Sequence, residues 1–259
     1  MALLEVRDVR RTFGGLVALD NVTFDVPQGA IKGIIGPNGA GKTTLFNIVS
    51  GVLPPDKGSI RFRDRTVTGL PPYRIARRGV SRTFQNLSLF LNMSVLENVM
   101  VGRHCRTRAG WSGSALRMPW QRREERAIRA AALEQLEVLG LAHAADAPVG
   151  SLSFGRRRLV ELARALATEP ELLLLDEPAS GLNTHETDEL ATRIRAIRDD
   201  GVTILLVEHD MSLVMDVCDD ILVLDFGQPI AEGPPAAVRS NPKVVAVYLG
   251  GEFNHAAST

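Results

Sequence analysis

Residues 31–44 read IKGIIGPNGAGKTT. The stretch from Ile31 to Ile35 is mostly apolar and ends at a glycine, the pattern of a short buried strand. Residues 36–43 then fit GxxxxGK[ST], and Lys42 to Val49 continues as a helix. In a strand–loop–helix context the glycines let backbone N–H groups turn inward around phosphate oxygens. Gly36, Pro37, Asn38, Gly39, Ala40, Gly41, Lys42, Thr43 and Thr44 therefore form a candidate phosphate cradle. Lys42 is expected to reach the β- and γ-phosphates and the Thr43 hydroxyl to ligate Mg²⁺. The chain holds no [NT]KxD loop for guanine, which points to ATP or to a loosely selective nucleotide site.

Three further runs, ELLLLD, VTILLVE and DDILVLD, share the character of IKGIIG. Continuous apolar runs of this length suit strands buried on both faces of a parallel sheet. Helical patterns follow two of the four, at Lys42 to Val49 and Glu186 to Arg198, so βαβ crossovers are expected. Near the N-terminus LLEVRDV, NVTFDV and GSIRFRD alternate and are joined by short turns, which predicts an antiparallel portion. MSVLENVMVG and EERAIRAAALEQLEVLGL carry helical spacing and interrupt the strand rhythm. The expected fold is α/β: a P-loop NTPase parallel sheet core, an N-terminal antiparallel β portion and an inserted helical subdomain at about 92–165. Residues 1–250 are expected to form one domain, with 251–259 a disordered tail.

The chain has 259 residues, 30 Lys plus Arg and 30 Asp plus Glu, so no bulk field draws it to nucleic acid or anionic lipid. Its two cysteines, Cys105 and Cys218, form no CxxC pair and suggest neither a disulfide scaffold nor a zinc site. The apolar runs are too short to span a bilayer. The chain is expected to be soluble and to reach a membrane only through a partner.

Two other stretches carry chemistry. LLLLDEP is a hydrophobic strand ending in Asp176, placed to hold Mg²⁺, with Glu177 beside it to take a proton from water. LSFGR, from Leu152, places Ser153 as an N-cap and Gly155 where a backbone can approach closely. Taken alone it reads more readily as an ordinary capped helix than as a second anion site.

The order of these motifs resembles the ATP-binding cassette family across nearly the whole chain. The resemblance implies that the helix after LSFGR closes over the γ-phosphate bound to a second subunit, so that Ser153 and Gly155 serve the partner's ATP. It places Gln85 in RTFQN as a glutamine touching Mg²⁺ or the attacking water. It places His209 in LLVEHD as a switch histidine on the γ-phosphate, holding Glu177 and water in line. It places Phe13 in RTFGG against adenine, although a core Phe at a strand end remains an equal reading. Phe154 and Arg156 depart from the usual LSGGQ, and Asn183 replaces the Asp of SALD, which removes a charge from the loop after Glu177.

Within the family the chain resembles ATPase subunits of branched-chain amino acid uptake systems, on RTFGGLVALDNVTFDV, RTFQNLSLFLNMSVLENVMVGRH, LDEPASGLNTHET and the terminal VYLG. The insert between Val101 and Arg123 suits one of the two ATPase subunits of such systems. Importers of urea and short amides share the pattern, the lipopolysaccharide-export ATPase is close to it, and a cassette ATPase that does not transport is a further alternative. The implied partners are a second ATPase subunit, identical or paralogous, membrane permeases and, indirectly, a solute-binding protein, with no nucleic acid. The implied location is the cytoplasmic face of the inner or plasma membrane. Leu87, Leu89, Phe90 and Leu91 are expected on an exposed loop facing the permease, the alternative being that they pack into the helical subdomain.

Overall fold

The computed structural model describes residues 1–83, 88–103 and 119–248. Gln85, Leu87, most of the 101–123 insert and residues 251–259 lie outside the described residues.

The chain opens with two long strands, β1 (Ala2–Phe13) and β2 (Leu16–Pro27), paired antiparallel. The strand β3 (Ile31–Ile35) and helix α1 (Lys42–Val49) follow, then β4 (Lys57–Phe62) and β5 (Arg65–Thr66). One sheet has the order β2-β1-β4-β5 and is antiparallel throughout. Next come the short helix α2 (Pro72–Ala76), β6 (Val80–Arg82), α3 (Val95–Arg103), α4 (Pro119–Val138) and α5 (Phe154–Leu166). Then β7 (Leu172–Asp176) alternates with α6 (Thr184–Asp199), β8 (Thr203–Val207), α7 (Met211–Val217) and β9 (Asp220–Asp225). The described part closes with β10 (Gln228–Gly233), α8 (Pro235–Arg239) and helical residues 242–248.

The second sheet has the order β10-β9-β3-β8-β7-β6. The four pairings that join β9, β3, β8, β7 and β6 are parallel, and only β10 runs antiparallel, at one edge. The four apolar runs are thus its adjacent central strands, and each residue of β3, β7 and β8 is buried. Alternation divides them between two cores. Leu172 and Leu174 join Phe46 of α1 and Val6, Val22 and Phe62 of the antiparallel sheet. Leu173 and Leu175 join Val99, Leu136 and Val160 of α3, α4 and α5, together with Ile194 of α6. A side chain such as Phe46 or Leu136, buried completely, contributes roughly 1.5–3 kcal/mol. The helices α3, α4 and α5 pack on one another.

Lys32 breaks the apolar run of β3 but stays buried. Its ammonium meets Asp220 of β9 at 2.5 Å and Glu232 of β10, so three neighbouring strands converge on one cation. Cys218 is also buried, and burial beside Asp219 and Asp220 pushes its thiol up to about 12, which leaves it an inert core group.

Candidate functional site

The central strands β3, β8 and β7 lie side by side and run the same way. Ile34 pairs with Val207 and Val207 with Asp176, so the three carboxyl ends are level. The first end delivers the loop from Gly36 to Gly41, the second Glu208 and His209, the third Asp176 and Glu177. Parallel sheets bind ligands outside these strand ends.

In the loop, Gly41 caps α1 with φ 98° and offers no side-chain cap bond, which leaves the helix N–H groups open. A Cβ on Gly41 would sit 2.5 Å from the Ala18 carbonyl oxygen, and one on Gly36 would sit 2.1 Å from that of Leu224. Only glycine fits at either position. Lys42 is buried and folds back to donate to the Gly36 oxygen at 2.6 Å and the Pro37 oxygen at 3.0 Å. Burial lowers the Lys42 pKa, opposed in part by the Glu177 carboxylate. Thr43 is exposed at the helix start.

Asp176 is buried, and Arg82 of β6 donates to its Oδ2 at 2.7 Å. The same guanidinium donates to Asn47 Oδ1 of α1 at 2.8 Å and to Ser50 Oγ at the helix C-cap at 2.9 Å, with the Phe46 ring 5.7 Å away. One side chain thus ties the P-loop helix to the strand end bearing the acid. The sequence reading missed Arg82; its only signal is the charge that opens the RTFQN stretch, three residues before Gln85.

Glu177 takes φ 47°, a left-handed conformation that is uncommon outside glycine and costs roughly 1–3 kcal/mol. Its N–H donates to the Val207 oxygen at 2.9 Å, and Arg158 of α5 reaches its carbonyl oxygen at 3.5 Å. His209 Nδ1 lies 3.9 Å from Glu177 Oε2 and 3.4 Å from Glu208 Oε2. The structure therefore brings Lys42, Asp176, Glu177 and His209 to one set of strand ends.

Ser153 and Gly155 start α5. Ser153 is exposed and caps the helix by accepting from the Arg156 N–H at 3.4 Å. Gly155 is buried, and a Cβ there would lie 2.4 Å from Glu186 Oε1. A side chain at Gly155 would therefore have to push aside the Glu186 side chain of α6. Asn183 turns out to be the N-cap of α6 in a capping box, accepting from the Glu186 N–H at 3.0 Å while Glu186 Oε2 accepts from the Asn183 N–H at 3.1 Å. An amide fills that cap as well as an acid does.

Phe13 is exposed at the end of β1 rather than in the core, with the Arg11 guanidinium 4.9 Å from its ring centre. This removes the core-Phe reading. Leu89 is a correction: it is half-buried against the helical core, while Phe90 and Leu91 are 52% and 51% exposed. The loop is strapped down. Buried Asn98 accepts from the Phe90 N–H at 2.8 Å and donates to the Phe90 oxygen at 3.0 Å, and Arg164 donates to the Ser88 oxygen at 2.6 Å.

A glycine cradle at the start of α1, with an acid at the end of a parallel strand of the same sheet, one strand removed from β3, defines a P-loop nucleotide-binding ATPase. The ABC transporter family model matches residues 19–180, and a model for branched-chain amino acid ATP-binding cassette transporters matches residues 228–254. The chain belongs to the ABC transporter ATPase family. It is 43% identical to the high-affinity branched-chain amino acid transport ATP-binding protein BraF of Pseudomonas aeruginosa and 44% identical to LivG, of the same description, from Escherichia coli; each alignment covers 96% of this chain and 98% of the relative. Among solved structures it resembles the ADP conformation of an ATP-binding cassette of an ABC transporter, with TM-score 0.85 and 35% identity over 96% of this chain and 99% of that one. A dimeric cassette in a post-hydrolysis state bound to ADP and Pi is similar at TM-score 0.74 and 25% identity, over 90% and 98%.

Proposed function

We propose that this chain is the ATP-hydrolysing subunit of an importer for branched-chain amino acids. The convergence of the Gly36–Thr44 loop, Asp176, Glu177 and His209 at three adjacent strand ends carries the enzymatic part. The names of the relatives and the C-terminal family match support the solute class.

In this reading the open N–H groups of the loop and of α1 hold the phosphates of ATP. Lys42 exchanges its two carbonyl partners for phosphate oxygens. The cradle fits such a ligand, since side chains are excluded at Gly36 and Gly41 and the helix start carries no cap bond of its own. Thr43 and Asp176, with Gln85, would hold Mg²⁺, which when bound neutralises developing phosphate charge. Glu177 accepts the proton of a water whose oxygen bonds to the γ-phosphorus while the bond to ADP breaks. His209 keeps that carboxylate and the phosphate in line. Phe13, backed by Arg11, stacks on the adenine.

Exposure of Ser153 at the start of α5 supports service to a second subunit, as do the solved cassette dimers that this chain resembles. Residues about 92–165 act as the helical subdomain that presents this helix start and, through Asn98, holds the adjoining Phe90–Leu91 surface. No described helix is long and apolar enough to cross a membrane. A permease seated on Phe90 and Leu91 would bring the chain to the cytoplasmic face and receive its work.

The test is uptake of labelled leucine, isoleucine and valine in a strain lacking the chain, restored by wild type and not by Glu177→Gln. Restoration of urea or amide uptake instead would reassign the solute. Phe90→Glu with Leu91→Glu should abolish co-purification with the permease and uptake while the isolated chain still hydrolyses ATP. Intact assembly would place the contact elsewhere.

A further inference from the structure

Glu208 closes β8 and is 0% exposed, a charged side chain to which the mechanism above gives no task. Its oxygens accept from backbone. Oε1 takes the Ala179 N–H at 2.8 Å; Oε2 takes those of His209 at 2.7 Å and Asp210 at 3.2 Å. The two oxygens therefore serve two segments. One holds the chain that has just left Glu177, across Pro178; the other holds the turn that carries His209. Glu177 is independently pinned through its N–H to Val207, the residue before Glu208. A left-handed φ at a non-glycine residue persists only when its surroundings hold it, and this bridge is positioned to do so.

We propose that Glu208 is a positioning residue for ATP hydrolysis, its two carboxylate oxygens setting the spacing between Glu177 and His209. A carboxylate accepts at both ends, whereas the amide of equal shape accepts at one and presents donors at the other. Glu208→Gln can keep either Ala179 or the His209 turn, but not both. The inference rests on the reading of Glu177 and His209 given above.

The experiment is a double-mutant cycle on ATP hydrolysis by the full chain, with nucleotide affinity followed by fluorescent-nucleotide titration. Glu208→Gln should leave ATP affinity unchanged and lower kcat by up to about 10²-fold, the scale of a 1 Å misplacement. With His209→Ala added, the double variant should be no slower than His209→Ala alone, because both act through one alignment. A wild-type kcat in Glu208→Gln, or losses that multiply, overturns the proposal. If His209→Ala alone hydrolyses normally, the assignment of His209 falls, and this inference with it. Should Glu208→Gln not fold, hydrogen exchange on the wild-type chain decides. The amides of Ala179 and Asp210 should open with one common free energy and slow together with a bound ATP analogue; independent opening overturns the bridge.

Discussion

The starts of α1 and α5 make an instructive pair. At α1 a left-handed glycine caps the helix, no side chain competes for its N–H groups, and a buried lysine lies folded onto the loop carbonyls. At α5 a serine caps the helix with its own hydroxyl and stands exposed, followed by a phenylalanine that is also exposed. The first leaves its N–H groups open to an anion. The second is already satisfied locally, and what it would add to a nucleotide must be gained from outside the chain. Equal helix dipoles thus end in unequal sites, because capping and burial decide what the N–H groups are free to do.

The largest expected effect belongs to the first site. Glu177→Gln keeps the shape and loses the proton acceptor, so hydrolysis should fall by about 10²–10⁴-fold while MgATP still binds. Trapped ATP should hold two chains together on gel filtration; hydrolysis at the wild-type rate would remove Glu177 from the mechanism.

Arg82→Ala probes the scaffold beneath that site. It leaves the Asp176 carboxylate buried without its cation, a loss of about 3–5 kcal/mol for a buried pair. Chemical denaturation should show it. A change below about 1 kcal/mol would mean that the pair is screened as a surface bridge is.

Mixing tests the division between the two helix starts. Lys42→Ala should lose nucleotide binding, and Ser153→Ala should bind but not hydrolyse. If the chain pairs with itself, mixed dimers pool both defects in one composite site and leave the other whole, so activity should return to a fraction of wild type. No activity in confirmed mixed dimers would mean that each chain uses its own α5.

Asn183→Asp should have the smallest effect. Both residues cap well, so stability should move by no more than about 0.5 kcal/mol. A clear rise in cooperativity between sites, with stability unchanged, would show instead that the missing charge matters across the dimer.

Much of the fold was legible because it is written in contiguous residues. β3, β7, β8 and β9 are continuous apolar runs, as strands covered on both faces must be. β6 and β10 were not legible. VSR is three residues long, and QPIAEG is an edge strand with exposed and half-buried positions, so neither carries a period. The start of α6 at Thr184 was also missed, although Asn183 and Glu186 have capping-box spacing.

For the candidate site, local sequence was enough to single out the glycine loop, Lys42, Asp176 and Glu177, since phosphate cradling and a strand-end acid need neighbouring residues. Tertiary structure decided what spans the chain. Arg82 reaches across to Asp176, and Glu208 joins Ala179 to His209, because strands distant in sequence lie side by side in the sheet. It also turned Leu89 inward while leaving Phe90 and Leu91 outside, through a buried Asn98 that grips the Phe90 backbone. Apolar residues in a run cannot say which of them the core will take. That is settled by which backbone groups the fold holds and where the neighbouring helix leaves room.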